Sequence, residues 1–167
     1  HTYLHDEQRA GVEYVTGASR IAAIVGLAGA GKTTALRAAR EAWEREGFRV
    51  VGGALAGKAA EGLGKEADIA SRTLASWELR WGRGADLLDD KTVFVMDEAG
   101  MVASRQMALF VDAAARSGAK LVLVGDGEQL QPIEAGAAFR AIHDKIGYVV
   151  LENVRRQKQD WMRKASV

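Results

Sequence analysis

Residues 21–34 read IAAIVGLAGAGKTT, and no other run narrows the possible folds of this chain as far. Ile21 to Val25 are apolar in succession, as in a buried strand. Gly26, four further residues, then Gly31, Lys32 and Thr33 have the spacing of a phosphate-binding P-loop. A polyphosphate explains why these residue types are needed. Gly29 and Gly31 let the backbone approach the phosphates and turn successive N–H groups toward them, with Ala30 and Thr34 in the same cradle. Lys32 would reach the β- and γ-phosphates, and Thr33 would offer its hydroxyl to Mg2+. A helix opening at Lys32 would aim the positive end of its dipole at the anion. The strand before the loop and the helix after it supply the context that separates a P-loop from a glycine-rich turn that binds nothing.

Strand and helix signals alternate along the rest of the chain. From Thr33 to Glu46, Leu36, Ala39 and Trp43 share one helical face, and Gly47 supplies the stop. Residues 48–55 (FRVVGGAL) read as a second strand, residues 57–67 as a short helix and Thr73–Trp81 as a further helix. GRGADLLDD reads as a polar surface connection. TVFVM, which ends at Asp97 and Glu98, is the continuous apolar run of a strand covered on both faces. Ser104 is the expected cap of a helix on which Met107, Phe110, Val111 and Ala114 keep the i, i+3, i+4, i+7 pattern up to Gly118. KLVLVGD is another buried strand. Pro132 precedes a helix with Phe139, Ile142 and Ile146 on one face, and Tyr148–Leu151 is the last strand candidate. This order predicts a doubly wound parallel α/β sheet, in one domain spanning residues 1–167.

Composition removes several classes of function. The 167 residues hold no cysteine, which excludes disulfides, zinc–thiolate sites and thiol catalysis. Hydrophobic residues at 48% and charged residues at 27% are ordinary for a globular protein. No apolar run approaches a bilayer crossing, so a cytoplasmic protein without a membrane segment is expected. A net charge of +1 gives no global field for nucleic acid, and any such contact must come from a local patch. His143 lies near an apolar helical face and His1 and His5 at the chain start, so none is given a chemical role.

Ligands of a parallel sheet gather at the carboxyl ends of its strands, so Asp97 and Glu98 should emerge beside the P-loop. An aspartate there can hold Mg2+ through its water shell, while the adjacent glutamate orients and deprotonates a water for attack on the γ-phosphate. Within VGDGEQLQPIEAG, which also carries Asp126, Gln129 can hydrogen-bond a γ-phosphate. In ENVRRQ an arginine could complete the charge around it. A small-molecule kinase would share the P-loop but need an acceptor pocket and a lid. A non-catalytic nucleotide switch would keep Lys32 without needing Glu98. The pairing of DEAG with GDGEQL favours water as the acceptor, hence hydrolysis.

In this order, GLAGAGKTT, VMDEAGMV, VGDGEQLQPIEAG and NVRRQ resemble the nucleotide-binding motifs of superfamily 1 DNA helicases of the RecD-like branch. Over essentially the whole chain, the sequence is similar to the helicase portion of TraA-type conjugative relaxases of bacterial plasmids. The resemblance implies a P-loop NTPase of the RecA-like type, a three-layer α/β/α domain with helices on both faces of its sheet, working on ATP and Mg2+. It implies that Gln8, in LHDEQ, contacts adenine, that Lys32 and Thr33 hold phosphate and Mg2+, and that Asp97 helps bind the metal. Glu98 would be the base, and Gln129 and Arg156 would touch the γ-phosphate. Arg155 stands where relatives often have an aromatic, and Gly127 where they usually have proline. LAGKAAEGL and SRTLASWE resemble the family's DNA-contacting segments, which puts Lys58 and Thr73 near single-stranded DNA, whereas Trp77 and Trp81 are expected to pack their helix. By the same resemblance, a second RecA-like domain of the same parent chain completes the motor, the plasmid transfer machinery is its partner and the bacterial cytoplasm its location.

Overall fold

The computed structural model describes residues 21–25, 30–125 and 149–150. The helix expected after Pro132 lies outside them. Their elements run β1 (Ile21–Val25), α1 (Ala30–Arg45), β2 (Arg49–Ala54), α2 (Gly57–Glu66), β3 (Ala70–Thr73) and α3 (Leu74–Gly82), then β4 (Thr92–Met96), a single 3-10 turn (Ala99–Met101), α4 (Ser104–Ser117), β5 (Lys120–Gly125) and β6 (Val149–Val150). All strand pairs are parallel, in the order β3-β2-β4-β5-β1-β6. Parallel neighbours require crossovers, and the helices that make them cover the sheet.

The pleat of the central strands sorts the core into two layers. Val93 and Val95 of β4 and Val122 and Val124 of β5 pack with Leu36, Ala39 and Trp43 of α1 and Leu63 of α2. The alternate residues, Phe94, Met96, Leu121 and Leu123, pack with Leu74 and Trp77 of α3 and Met107, Phe110 and Ala114 of α4. A strand buried on both faces has no polar alternation, which is why TVFVM and KLVLVG read as unbroken apolar runs. Burying one large apolar side chain is worth about 1.5–3 kcal/mol, so the two layers of such residues carry most of the stability. Gly47 ends α1 as expected, because its φ of 89° lies where a side chain would strain the turn.

Three expectations need correction. Ala70–Thr73 is a strand not anticipated in the sequence, paired with β2 from Val51↔Ala70 to Ala54↔Thr73. The N-cap of α4 is Ala103, not Ser104. Ala103 is extended and its carbonyl accepts the Met107 N–H at 2.9 Å, which makes Ser104 the first helical residue, and no side chain caps this end. The connection after α3 is not merely polar surface, since Leu88 packs against the core and the Trp81 Nε1–H donates to the Asp86 carbonyl at 3.0 Å. At the opposite edge of the sheet Lys120 opens β5 with only 8% of its surface exposed. Burial pulls its amine down to about 8, against the opposing attraction of Glu46.

Candidate nucleotide-binding site

Two elements meet at the carboxyl edge of the sheet. The P-loop helix α1 begins at Ala30, earlier than the expected Lys32, so Ala30, Gly31, Lys32 and Thr33 form its first turn. β4 ends at Met96, and the Asp97 N–H continues its ladder by donating to the Gly53 carbonyl at 2.9 Å. The strands behind these elements are not neighbours, because β5 lies between β1 and β4. Lys32 bridges the interval, with Nζ 3.1 Å from Asp97 Oδ1 and 3.4 Å from Oδ2. Asp97 is 7% exposed, and a carboxylate so buried requires compensation. Lys32 supplies the opposite charge, and the Glu98 N–H donates to Asp97 Oδ1 at 2.9 Å.

Glu98 follows in the left-handed region, at φ 52° and ψ 40°. That conformation costs a residue with a Cβ about 1–2 kcal/mol. It turns the chain into the 3-10 segment, where the Met101 N–H donates to the Glu98 carbonyl at 3.0 Å. Glu98 stays half-buried directly beside Asp97, and Thr33 and Thr34 are half-buried on the first turns of α1. The Asp97 carboxylate and Thr33 hydroxyl are hard oxygen donors, a set that suits Mg2+, which binds through one or two carboxylates and keeps waters or phosphate oxygens in its remaining positions. Among the described residues no three His, Cys, Asp or Glu side chains gather into a cage, so an ion held here would depend on those other oxygens.

Gln8, Gly29, Asp126, Gly127, Gln129, Arg155 and Arg156 lie outside the described residues. Of the two residues expected near DNA, Lys58 is exposed on the first turn of α2. Thr73 joins β3 to α3 and caps that helix, its hydroxyl oxygen accepting the Ser76 N–H at 3.2 Å. The expectation for the tryptophans holds. Trp77 is 3% exposed and lies edge-on to Phe94 at 5.5 Å, and the Trp81 ring sits 4.8 Å from that of Phe110. Sequence reasoning passed over Gly52 and Gly53, whose backbone receives both Trp77 and Asp97. Adjacent glycines inside a strand are the signal that could have found them, since they mark close approach.

A family model described as an AAA domain matches residues 3–167. The conjugal transfer protein TraA of Rhizobium radiobacter is 74% identical over 167 residues, which is all of this chain and 15% of that protein. The ATP-dependent RecD2 DNA helicase of Deinococcus radiodurans is 30% identical over 161 residues, 92% of this chain and 22% of that one. The solved structure of the Pif1 helicase from Candida albicans superposes with a TM-score of 0.61 at 20% identity, covering 89% of this chain and 40% of that chain, a likeness of fold. The RecD-like and TraA-type resemblances seen in the motifs both hold. This chain spans only a small part of the relatives it matches.

Proposed function

The chain belongs to the AAA domain family, and from that premise we propose that it is the first RecA-like motor domain of an ATP-dependent DNA helicase, part of a conjugative relaxase that nicks and unwinds plasmid DNA during transfer. The observation that carries the reading is the 3.1 Å contact between Lys32 and Asp97, which unites the P-loop with a strand-end acid across an intervening strand.

In this reading backbone amides of Gly29, Ala30, Gly31 and Thr34 cradle the phosphates, Lys32 exchanges Asp97 for the β- and γ-phosphates, and Gln8 contacts adenine. Thr33 and Asp97 hold Mg2+, which when bound neutralises charge on the phosphate oxygens. Glu98 takes a proton from water as the water oxygen bonds to the γ-phosphorus and the bond to the ADP oxygen breaks. Gln129 and Arg156 contact the γ-phosphate. Lys58 and Thr73 face single-stranded DNA at the same edge, where the Thr73 hydroxyl hydrogen is available to a phosphate because only its oxygen serves the cap. A second RecA-like domain of the parent chain closes the site, and the motor works with the transfer machinery in the bacterial cytoplasm. No helix among the described residues is long and apolar enough to cross a membrane.

The test is phosphate release by the full-length protein, with and without single-stranded DNA. DNA-stimulated release without any added acceptor, reduced at least about a hundredfold by Glu98→Gln while ATP still binds, is the expected result. An unchanged rate in that variant removes Glu98 from the reaction. The 167 residues alone should bind nucleotide but turn over slowly, because an arginine delivered across a domain gap is worth about 10³–10⁵ in rate. Equal activity of the two would refute the two-domain site.

A further inference from the structure

Gly52 and Gly53 occupy the middle of β2, where a buried strand ordinarily carries branched side chains. A Cβ on Gly53 would stand 2.7 Å from Phe94 Cζ, 2.9 Å from Leu74 Cδ2 and 3.2 Å from Trp77 Cδ1. The bare backbone lets the Trp77 ring close on the strand, where its Nε1–H donates to the Gly52 carbonyl at 2.8 Å. The next carbonyl, that of Gly53, accepts the Asp97 N–H at 2.9 Å. Two successive peptide units therefore separate the indole from the acid that holds Lys32. They share the Cα of Gly53, which has no side chain to resist rotation of one plane against the other.

Trp77 lies about one turn into α3, behind the Thr73 cap. Trp81 is its natural contrast. It belongs to the same helix and aromatic cluster, 6.1 Å from Trp77, but its indole donates to Asp86 and not to β2. We propose that Trp77 is a positioning residue that fixes the Asp97–Glu98 turn through the Gly52–Gly53 backbone and passes to it any displacement of the first turn of α3 by single-stranded DNA. The inference rests on the motor-domain reading above, and it adds the physical link between the DNA edge and the acids.

The experiment compares Trp77→Phe with Trp81→Phe in the full-length protein. Each variant removes one buried indole N–H from the same cluster, so general loss of packing is matched. Trp77→Phe should lower the DNA-stimulated kcat by about fivefold, the worth of one neutral hydrogen bond, with the KM for ATP unchanged. Trp81→Phe should leave the stimulation intact. Equal loss in both variants, or none in Trp77→Phe, overturns the proposal. A wild-type protein that DNA fails to stimulate refutes the motor reading instead. A second measurement needs no Trp77 variant. In wild-type protein labelled with fluorotryptophan, with resonances assigned by replacing the other tryptophans, the Trp77 signal should move with single-stranded DNA and with Mg–ADP. A Trp77 signal that single-stranded DNA leaves in place overturns the link even if Trp77→Phe does not fold.

Discussion

Glu98 sits at φ 52° and ψ 40° although it carries a Cβ, and this strain can be weighed directly. Glu98→Ala and Glu98→Gly both delete the carboxylate, and both keep the amide that donates to Asp97 Oδ1 at 2.9 Å. They differ only in the Cβ. Left-handed backbone costs alanine about 1–2 kcal/mol, whereas glycine loses about 0.5–1 kcal/mol more chain entropy on folding. The difference leaves the glycine variant ahead by about 0.5–1 kcal/mol, or about 1–4 °C in Tm for a domain of this size. Thermal and urea unfolding of the domain, followed by circular dichroism, measures it. An alanine variant as stable as the glycine one would refute the argument, because the turn would then relax without the predicted strain. Neither variant should hydrolyse ATP, so the strain is a cost borne for a glutamate at this place in the turn.

Three further outcomes are expected. Lys32→Ala should abolish measurable ATP affinity by calorimetry while the circular dichroism spectrum persists, and should lower stability by about 1–2 kcal/mol because Asp97 keeps its burial and loses its cation. Adding Asp97→Asn should restore part of that stability. Lys120 binds its proton less tightly folded than unfolded, so between its folded value of about 8 and its ordinary value the unfolded chain holds more protons, and stability should rise with pH across that window. Unfolding free energies of wild type and Lys120→Met at neutral and alkaline pH check this, since the variant should show no such rise. Gly53→Ala should destabilise by about 1–3 kcal/mol through its contacts with Phe94, Leu74 and Trp77, whereas Gly62→Ala, in the open on α2, should stabilise by about 0.5–1 kcal/mol. Chemical denaturation resolves both.

Much of this structure is legible in the sequence because the P-loop and TVFVM need little context. A strand buried on both faces must be apolar throughout, and a lysine after spaced glycines has few other uses. β3 was not legible, because its four residues, Ala-Ser-Arg-Thr, alternate between exposed and half-buried at the edge of the sheet and show no apolar run. Ser104 misled because serine suits both a cap and a first helical turn. The choice was made by the extended backbone of Ala103, which tertiary packing sets. Nor could periodicity reveal the left-handed turn at Glu98, since it depends on a hydrogen bond from its own amide to the preceding side chain.

The strand order also sets the schedule on which the site can come into being. β1 has no neighbour among the strands that follow it directly; it pairs with β5, from Ile21↔Leu121 to Val25↔Gly125, and with β6 beyond. β2, β3 and β4 can assemble among themselves as they emerge from the ribosome, but the P-loop strand must wait for partners about a hundred residues downstream. At a synthesis rate of about 5–20 residues per second, that wait lasts about 5–20 s. Through it the nascent chain carries the glycine-rich loop with no sheet behind it, and nucleotide can act as a template only at the final step, when β5 slots between β4 and β1 and brings Lys32 within reach of Asp97.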